Sequence, residues 1–140
     1  MTAQPEYPPA RGRELRVVIV DDHAPVRDAL TALLSTDPGL AVVGHATGET
    51  AVAVVQQRQP DVVLMDLAMP VVDGAEATLA LACNGCDVPV LLLTGRPDPD
   101  RIRAALQAGA LGFLTKDVDP NVLITAVHAA GSGQWPPEAD

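Results

Sequence analysis

Short aliphatic runs recur along this chain, and most of them end in a residue able to do chemistry. Val17-Val18-Ile19-Val20 stops at Asp21-Asp22, Val62-Val63-Leu64-Met65 at Asp66, and Val90-Leu91-Leu92-Leu93 at Thr94. Leu111-Gly112-Phe113-Leu114-Thr115 runs directly into Lys116, the sole lysine. Strand candidates therefore fall at 16–20, 40–45, 61–65, 89–93 and 111–115, with helical spacing between them near 25–35, 48–58, 74–83, 98–108 and 120–131. Serial βα units fold as a doubly wound parallel sheet, and right-handed crossovers put helices on both of its faces. Uninterrupted aliphatic strands suit that arrangement because both faces are covered. Such a sheet delivers the carboxyl ends of its strands to one edge, where open α/β folds place their sites.

Composition narrows the possibilities. A chain of 140 residues is expected to form one domain with a sizeable core. Tyr7, Phe113 and Trp135 are its only aromatic residues, so that core must be aliphatic. No apolar run approaches the roughly 18 residues of a membrane span, and the N-terminus lacks a signal-peptide pattern; a cytoplasmic location is expected. A net charge of −9 with scattered arginines argues against direct nucleic-acid binding, which needs clustered Lys and Arg. Cys83 and Cys86 form a C-x-x-C without the further ligands that a zinc site needs, and read as ordinary loop cysteines.

Local signals fix several helix ends. Asp73 followed by Gly74-Ala75-Glu76 reads as a capping box, and Asp119-Pro120 as a cap with a first-turn proline. Val26, Leu30, Leu33 and Leu34 make a buried stripe for the first helix, while Gly39 and Gly109 fall where helices should stop. Residues 1–14 read as a flexible tail and residues 132–140, with Trp135-Pro136-Pro137, as a linker stub.

The residues at the strand ends form a coherent set. If the first and third strands are neighbours, Asp21, Asp22 and Asp66 converge. Carboxylates about 4 Å apart repel by roughly 4 kcal/mol at an effective dielectric of 20, so convergence calls for a cation. Mg²⁺ (or Mn²⁺), which prefers carboxylates, water and phosphate oxygens, answers that need. A carboxylate at a strand tip can attack phosphorus to form an acyl phosphate, and Asp66 is so placed. Lys116 and Thr94 would then meet the phosphoryl oxygens. The plainer reading, in which Asp21-Asp22 merely caps the next helix, leaves Asp66 unexplained.

At this point the chain resembles the receiver domain of two-component response regulators, over roughly Leu15 to Gly131. The motifs are Val-Val-Ile-Val-Asp21-Asp22-His23, Met65-Asp66-Leu67-Ala68-Met69-Pro70, Leu-Leu-Leu-Thr94-Gly95 and Gly112-Phe113-Leu114-Thr115-Lys116-Asp117. Ala-Gly-Ala-Leu-Gly-Phe-Leu-Thr-Lys-Asp is similar to the NarL/FixJ subgroup, whose receivers precede a LuxR-like helix-turn-helix. The resemblance implies a flavodoxin-like (βα)5 fold with strand order 2-1-3-4-5 and a receiver domain at 15–131. It implies that Asp66 is the phosphoacceptor and that Asp22, Asp66 and the Ala68 backbone carbonyl bind Mg²⁺, with Asp21 acting through water. Lys116 would contact the phosphoryl group, and Thr94 and Phe113 would be the switch residues. It also implies a histidine kinase as donor, a phosphorylation-dependent homodimer, and DNA contact only through a helix-turn-helix absent from this chain. A signal switch rather than a turnover enzyme is expected.

Two departures stand out. Phe113 replaces the commoner tyrosine, and Gly95-Arg96-Pro97-Asp98-Pro99-Asp100 carries two prolines, which predicts a stiffer loop after Thr94. Two other classes compete. A haloacid-dehalogenase-type phosphatase needs Asp-x-Asp, but His23 stands two after Asp21 and Ala68 two after Asp66. A phosphate-independent interaction module would be favoured by loss of a site residue, and none is lost.

Overall fold

The structure is a computed structural model in which residues 14–137 are described. Apart from Glu14, the expected N-terminal tail lies outside them, as do residues 138–140 of the expected linker. Elements alternate strictly: β1 (Leu15–Val20), α1 (Ala24–Leu34), β2 (Leu40–Ala46), α2 (Ala51–Arg58), β3 (Val62–Asp66), α3 (Gly74–Cys83), β4 (Val90–Thr94), α4 (Pro99–Gln107), β5 (Gly112–Thr115) and α5 (Pro120–Gly131). All strand pairings are parallel, in the order β2-β1-β3-β4-β5. This is the expected flavodoxin-like (βα)5 sheet.

The period-2 alternation of a strand sends its side chains to two separate cores. Val17 and Ile19 of β1 join Leu34 of α1 and Leu123, Val127 and Ala130 of α5 on one face. Val18 and Val20 join Ala51 and Val55 of α2, Ala77 and Leu81 of α3, and Ile102 and Ala105 of α4 on the other. Burial on both sides explains why the three central strands, β1, β3 and β4, hold nothing but Val, Leu, Ile and Met apart from Arg16, Asp66 and Thr94. No helix among the described residues is long and apolar enough to cross a membrane.

The helix starts follow local chemistry. Asp73 accepts from the Glu76 N–H at 2.8 Å while Glu76 reaches back to the Asp73 N–H, completing the capping box. Asp119 accepts from Asn121 N–H ahead of Pro120. One of the two prolines after Thr94 has a local use: Asp98 caps α4 and Pro99 is its first residue. At α1 the N-cap is His23, whose own side chain makes no cap bond; its N–H donates to Asp21 Oδ1 at 2.9 Å, while Asp22 takes no part in the helix start. The predicted stripe on α1 is only partly buried. Leu34 is enclosed, whereas Leu30 and Leu33 rest against the core from outside. Cys83 and Cys86 are free, and Cys83 ends α3.

Candidate functional site

Parallel pairing continues past the strand ends, and it is this continuation that positions the site. The Asp21 N–H donates to the Ala46 carbonyl at 3.0 Å, fixing the acidic pair beyond β1. Asp66 and Thr94 are the last residues of β3 and β4, one step inside the strands rather than just beyond them. The Lys116 N–H donates to the Thr94 carbonyl at 2.8 Å, fixing the lysine beyond β5. The loop after Asp66 folds closely back over it. Gly74 N–H bonds the Leu67 carbonyl at 2.9 Å, and a Cβ on Gly74 would stand 2.6 Å from the Asp66 carbonyl oxygen.

The result is a tight ionic centre. Lys116 Nζ lies 3.2 Å from Asp21 Oδ2 and 3.2 Å from Asp66 Oδ1. Both carboxylates are buried, at 1% and 5% exposure. Burial, with Asp21 close by, pushes the Asp66 carboxyl above its ordinary value, while Lys116 and the Ala68 N–H partly offset this. For Lys116, burial alone would lower the pKa, but Asp66 and Asp21 outweigh it and hold the ammonium above its usual range. The site is thus a buried negative pair held together by one cation.

Asp22 completes the acidic face. Its Oδ1 is buried and has no hydrogen-bond partner. His23 Nδ1 lies 3.3 Å from that atom and 3.6 Å from Asp21 Oδ1, without the alignment of a hydrogen bond. A buried carboxylate oxygen left without a donor is costly unless something positive meets it. Hard oxygen donors in this density fit Mg²⁺ or Mn²⁺. Potential ligand atoms of Asp21, Asp22 and His23 lie within 4.8 Å of one another, with Asp66 outside that group and paired to Lys116. The Ala68 backbone also reaches the centre, through its N–H to Asp66.

Two of the expected residues stand slightly apart. Thr94 is completely buried, and its Oγ1 donates to the Arg96 carbonyl at 2.9 Å, within its own loop. The Phe113 ring, across the ladder from Leu92, is 42% exposed at the free edge of the sheet. Sequence reasoning missed Arg27, whose guanidinium donates from α1 to the Asp21 carbonyl at 2.5 Å and whose Nε is buried without a partner. Its only signal was an arginine in the helix after the acidic pair. His23 figured in the sequence only as part of a motif and as the break in an Asp-x-Asp pattern, not as a neighbour of the acidic pair.

The profile of the response regulator receiver domain matches residues 17–128. The chain belongs to that family. It is 39% identical over 121 residues to the transcriptional regulatory protein DegU of Brevibacillus brevis, covering 86% of this chain and 51% of DegU. The response regulator GacA of Pseudomonas protegens (strain DSM 19095 / LMG 27888 / CFBP 6595 / CHA0) is 40% identical over 124 residues, covering 86% of this chain and 57% of that protein. The chain thus spans about half the length of these relatives. Among solved structures, the receiver domain of the response regulator NarL from Mycobacterium tuberculosis superposes with a TM-score of 0.81 at 35% identity, covering 86% and 98% of the two chains. The FixJ-N structure superposes with a TM-score of 0.77 at 32% identity, covering 85% of this chain and 94% of that one. These neighbours agree with the NarL/FixJ subgroup that the sequence resembles.

Proposed function

We propose that this receiver is a phosphorylation-controlled switch in which Asp66 accepts a phosphoryl group from a histidine kinase. The observation that carries the reading is the ionic centre itself, with Lys116 Nζ at 3.2 Å from both Asp66 and Asp21 beside the partnerless Asp22 oxygen. A carboxylate oxygen of Asp66 attacks phosphorus, a P–O bond forms, and the P–N bond to the donor imidazole breaks. The departing imidazole keeps the bonding pair and takes up a proton. Asp21, Asp22, Asp66 and the Ala68 carbonyl would hold Mg²⁺ (or Mn²⁺), which supplies positive charge against the transferring oxygens. Lys116 gives up part of its pairing with Asp66 and turns to the phosphoryl oxygens. Water later hydrolyses the acyl phosphate.

Thr94 and Phe113 are the switch in this reading. The Thr94 hydroxyl leaves the Arg96 carbonyl for a phosphoryl oxygen, which opens space behind it for the exposed Phe113 ring. The altered face favours a homodimer. The relative DegU is a transcriptional regulatory protein, so control of transcription is the proposed output, with DNA contacted through a helix-turn-helix segment outside this chain and none by this acidic domain. The cytoplasm is the proposed setting.

The test is intact mass after incubation with acetyl phosphate and Mg²⁺. One alkali-labile phosphoryl adduct is expected, absent with EDTA and absent in Asp66→Ala. No adduct, together with no dimer by light scattering in beryllofluoride, would replace this reading with the phosphate-independent interaction module.

A further inference from the structure

The segment after α5 does not run free. Gly133, at φ +77°, turns the chain back, and the Gln134 N–H closes the helix end on the Ala129 carbonyl at 2.9 Å. That reversal delivers Trp135 onto β5. A Cβ on Gly112 would stand 2.5 Å from the indole Cζ2 and 3.2 Å from its Nε1, so the ring fills the place of the missing side chain. Gly112 and Leu114 point to the same face, and the indole rests there against the core formed with α1 and α5. Glycine at this strand position is otherwise unfavourable, and close approach of another group is its usual reason.

We propose that residues 133–137 form a strap that couples the switch strand to the C-terminal segment, with Trp135 on Gly112 as its clasp. The coupling rests on the function proposed above but uses a separate contact. β5 is an edge strand of four residues, held by β4 on one side only. One end carries the indole, and the other ends at Thr115, next to Lys116, whose N–H is tied to Thr94. At about 3.3 Å per residue, these ends are separated by only about 10 Å of stiff backbone. Phe113 sits between them and shares with Trp135 a cleft of about 460 Å³ along the open edge, lined also by Val122 and Pro137. Inward movement of Phe113 removes one wall of that cleft, so the strap must resettle. The position of the C-terminal segment thereby reports the state of Asp66.

Trp135 is the only tryptophan, so its fluorescence reads the clasp directly. In the unphosphorylated protein, acrylamide should quench Trp135 at least two-fold less efficiently than in Gly112→Ala. Should that variant fold poorly, Trp135→Ala gives an independent reading: amide exchange at Phe113–Thr115 rises several-fold. Phe113→Ala should shift Trp135 emission without any phosphate. Beryllofluoride with Mg²⁺ should shift it in the wild type and not in Asp66→Asn. An indole quenched as freely as tryptophan amide overturns the strap, as does a confirmed Asp66 adduct that leaves emission unchanged. Absence of any adduct and of any dimer in beryllofluoride, with protection and the Phe113→Ala shift intact, refutes the phosphorylation reading and leaves the strap standing.

Discussion

Removing the Lys116 ammonium is the sharpest test of the ionic centre. Each of its contacts spans 3.2 Å, which at an effective dielectric of 20 corresponds to a gross attraction of about 5 kcal/mol per pair. Desolvation and the mutual repulsion of Asp21 and Asp66 consume most of this. What a deletion measures is the cost of leaving buried charge unpaired, about 3–5 kcal/mol for an enclosed pair. The Lys116 side chain is 29% exposed, so the lower end applies, and Lys116→Met should cost about 3 kcal/mol without divalent ions. For a domain of this size that is a fall in Tm of about 12 °C.

The assay is thermal unfolding in EDTA and again in excess Mg²⁺, with Asp66→Asn added to complete a double-mutant cycle. Neutralising Asp66 removes one unpaired charge, so the double variant should regain much of the loss. Mg²⁺ should also stabilise Lys116→Met more than wild type, because the ion meets carboxylates that the lysine no longer serves. The exposed Arg103–Asp100 pair, 3.5 Å apart on α4, is the control, and Arg103→Met should stay within about 0.5 kcal/mol. A Lys116→Met variant as stable as wild type, or a strictly additive cycle, would refute the reasoning.

Other outcomes follow from single contacts. Gly74→Ala drives a methyl toward the Asp66 carbonyl at 2.6 Å, and should slow adduct formation by acetyl phosphate at least ten-fold while costing about 2 kcal/mol in urea unfolding. Arg27→Met releases the Asp21 carbonyl, and Mg²⁺ titration followed by NMR should show affinity reduced several-fold, with Arg27→Lys recovering part of it. Burial, with Arg27 beside it, depresses the His45 pKa below 6.5, and Asp28 offsets this only in part. The unfolded chain therefore binds that proton first: the contribution of His45 is complete above pH 6.5 and lost as pH falls through the lower folded value. Tm should decline below pH 6.5 in wild type and decline less in His45→Gln.

The parts of this molecule that sequence made legible are those set by neighbours along the chain. Apolar runs placed the five strands to within one residue, and the Asp73 capping box and the Asp119-Pro120 start placed α3 and α5, which match the expected spans residue for residue. The rest depends on pairs far apart in sequence. The α1 stripe is only half enclosed because that helix also borders a groove shared by Pro25, Val26, Leu33, Lys116 and Val118, which no helical period reveals. Arg27 was invisible because its partner is a backbone carbonyl, and carbonyls leave no mark on composition.

Trp135 shows the limit most plainly. Its surroundings, Gly-Ser-Gly-Gln before it and Pro-Pro after, have the composition of a linker, and by composition the indole should be far from any site. What seats it is a missing side chain at Gly112, more than twenty residues earlier and on another element. A glycine within a strand pattern signals that something approaches closely, but not what. Only the reversal at Gly133, which aims the chain back across β5, identifies the visitor. The same logic governs the ionic centre. Local pattern shows which residues reach the sheet edge, whereas the β1–β3 and β4–β5 registers decide that Lys116 faces Asp21 and Asp66 at once. A one-residue slip in either ladder would keep every motif intact and turn the side chains of that strand to the opposite face. The chemistry therefore rests on register, which the aliphatic cores on the two faces enforce.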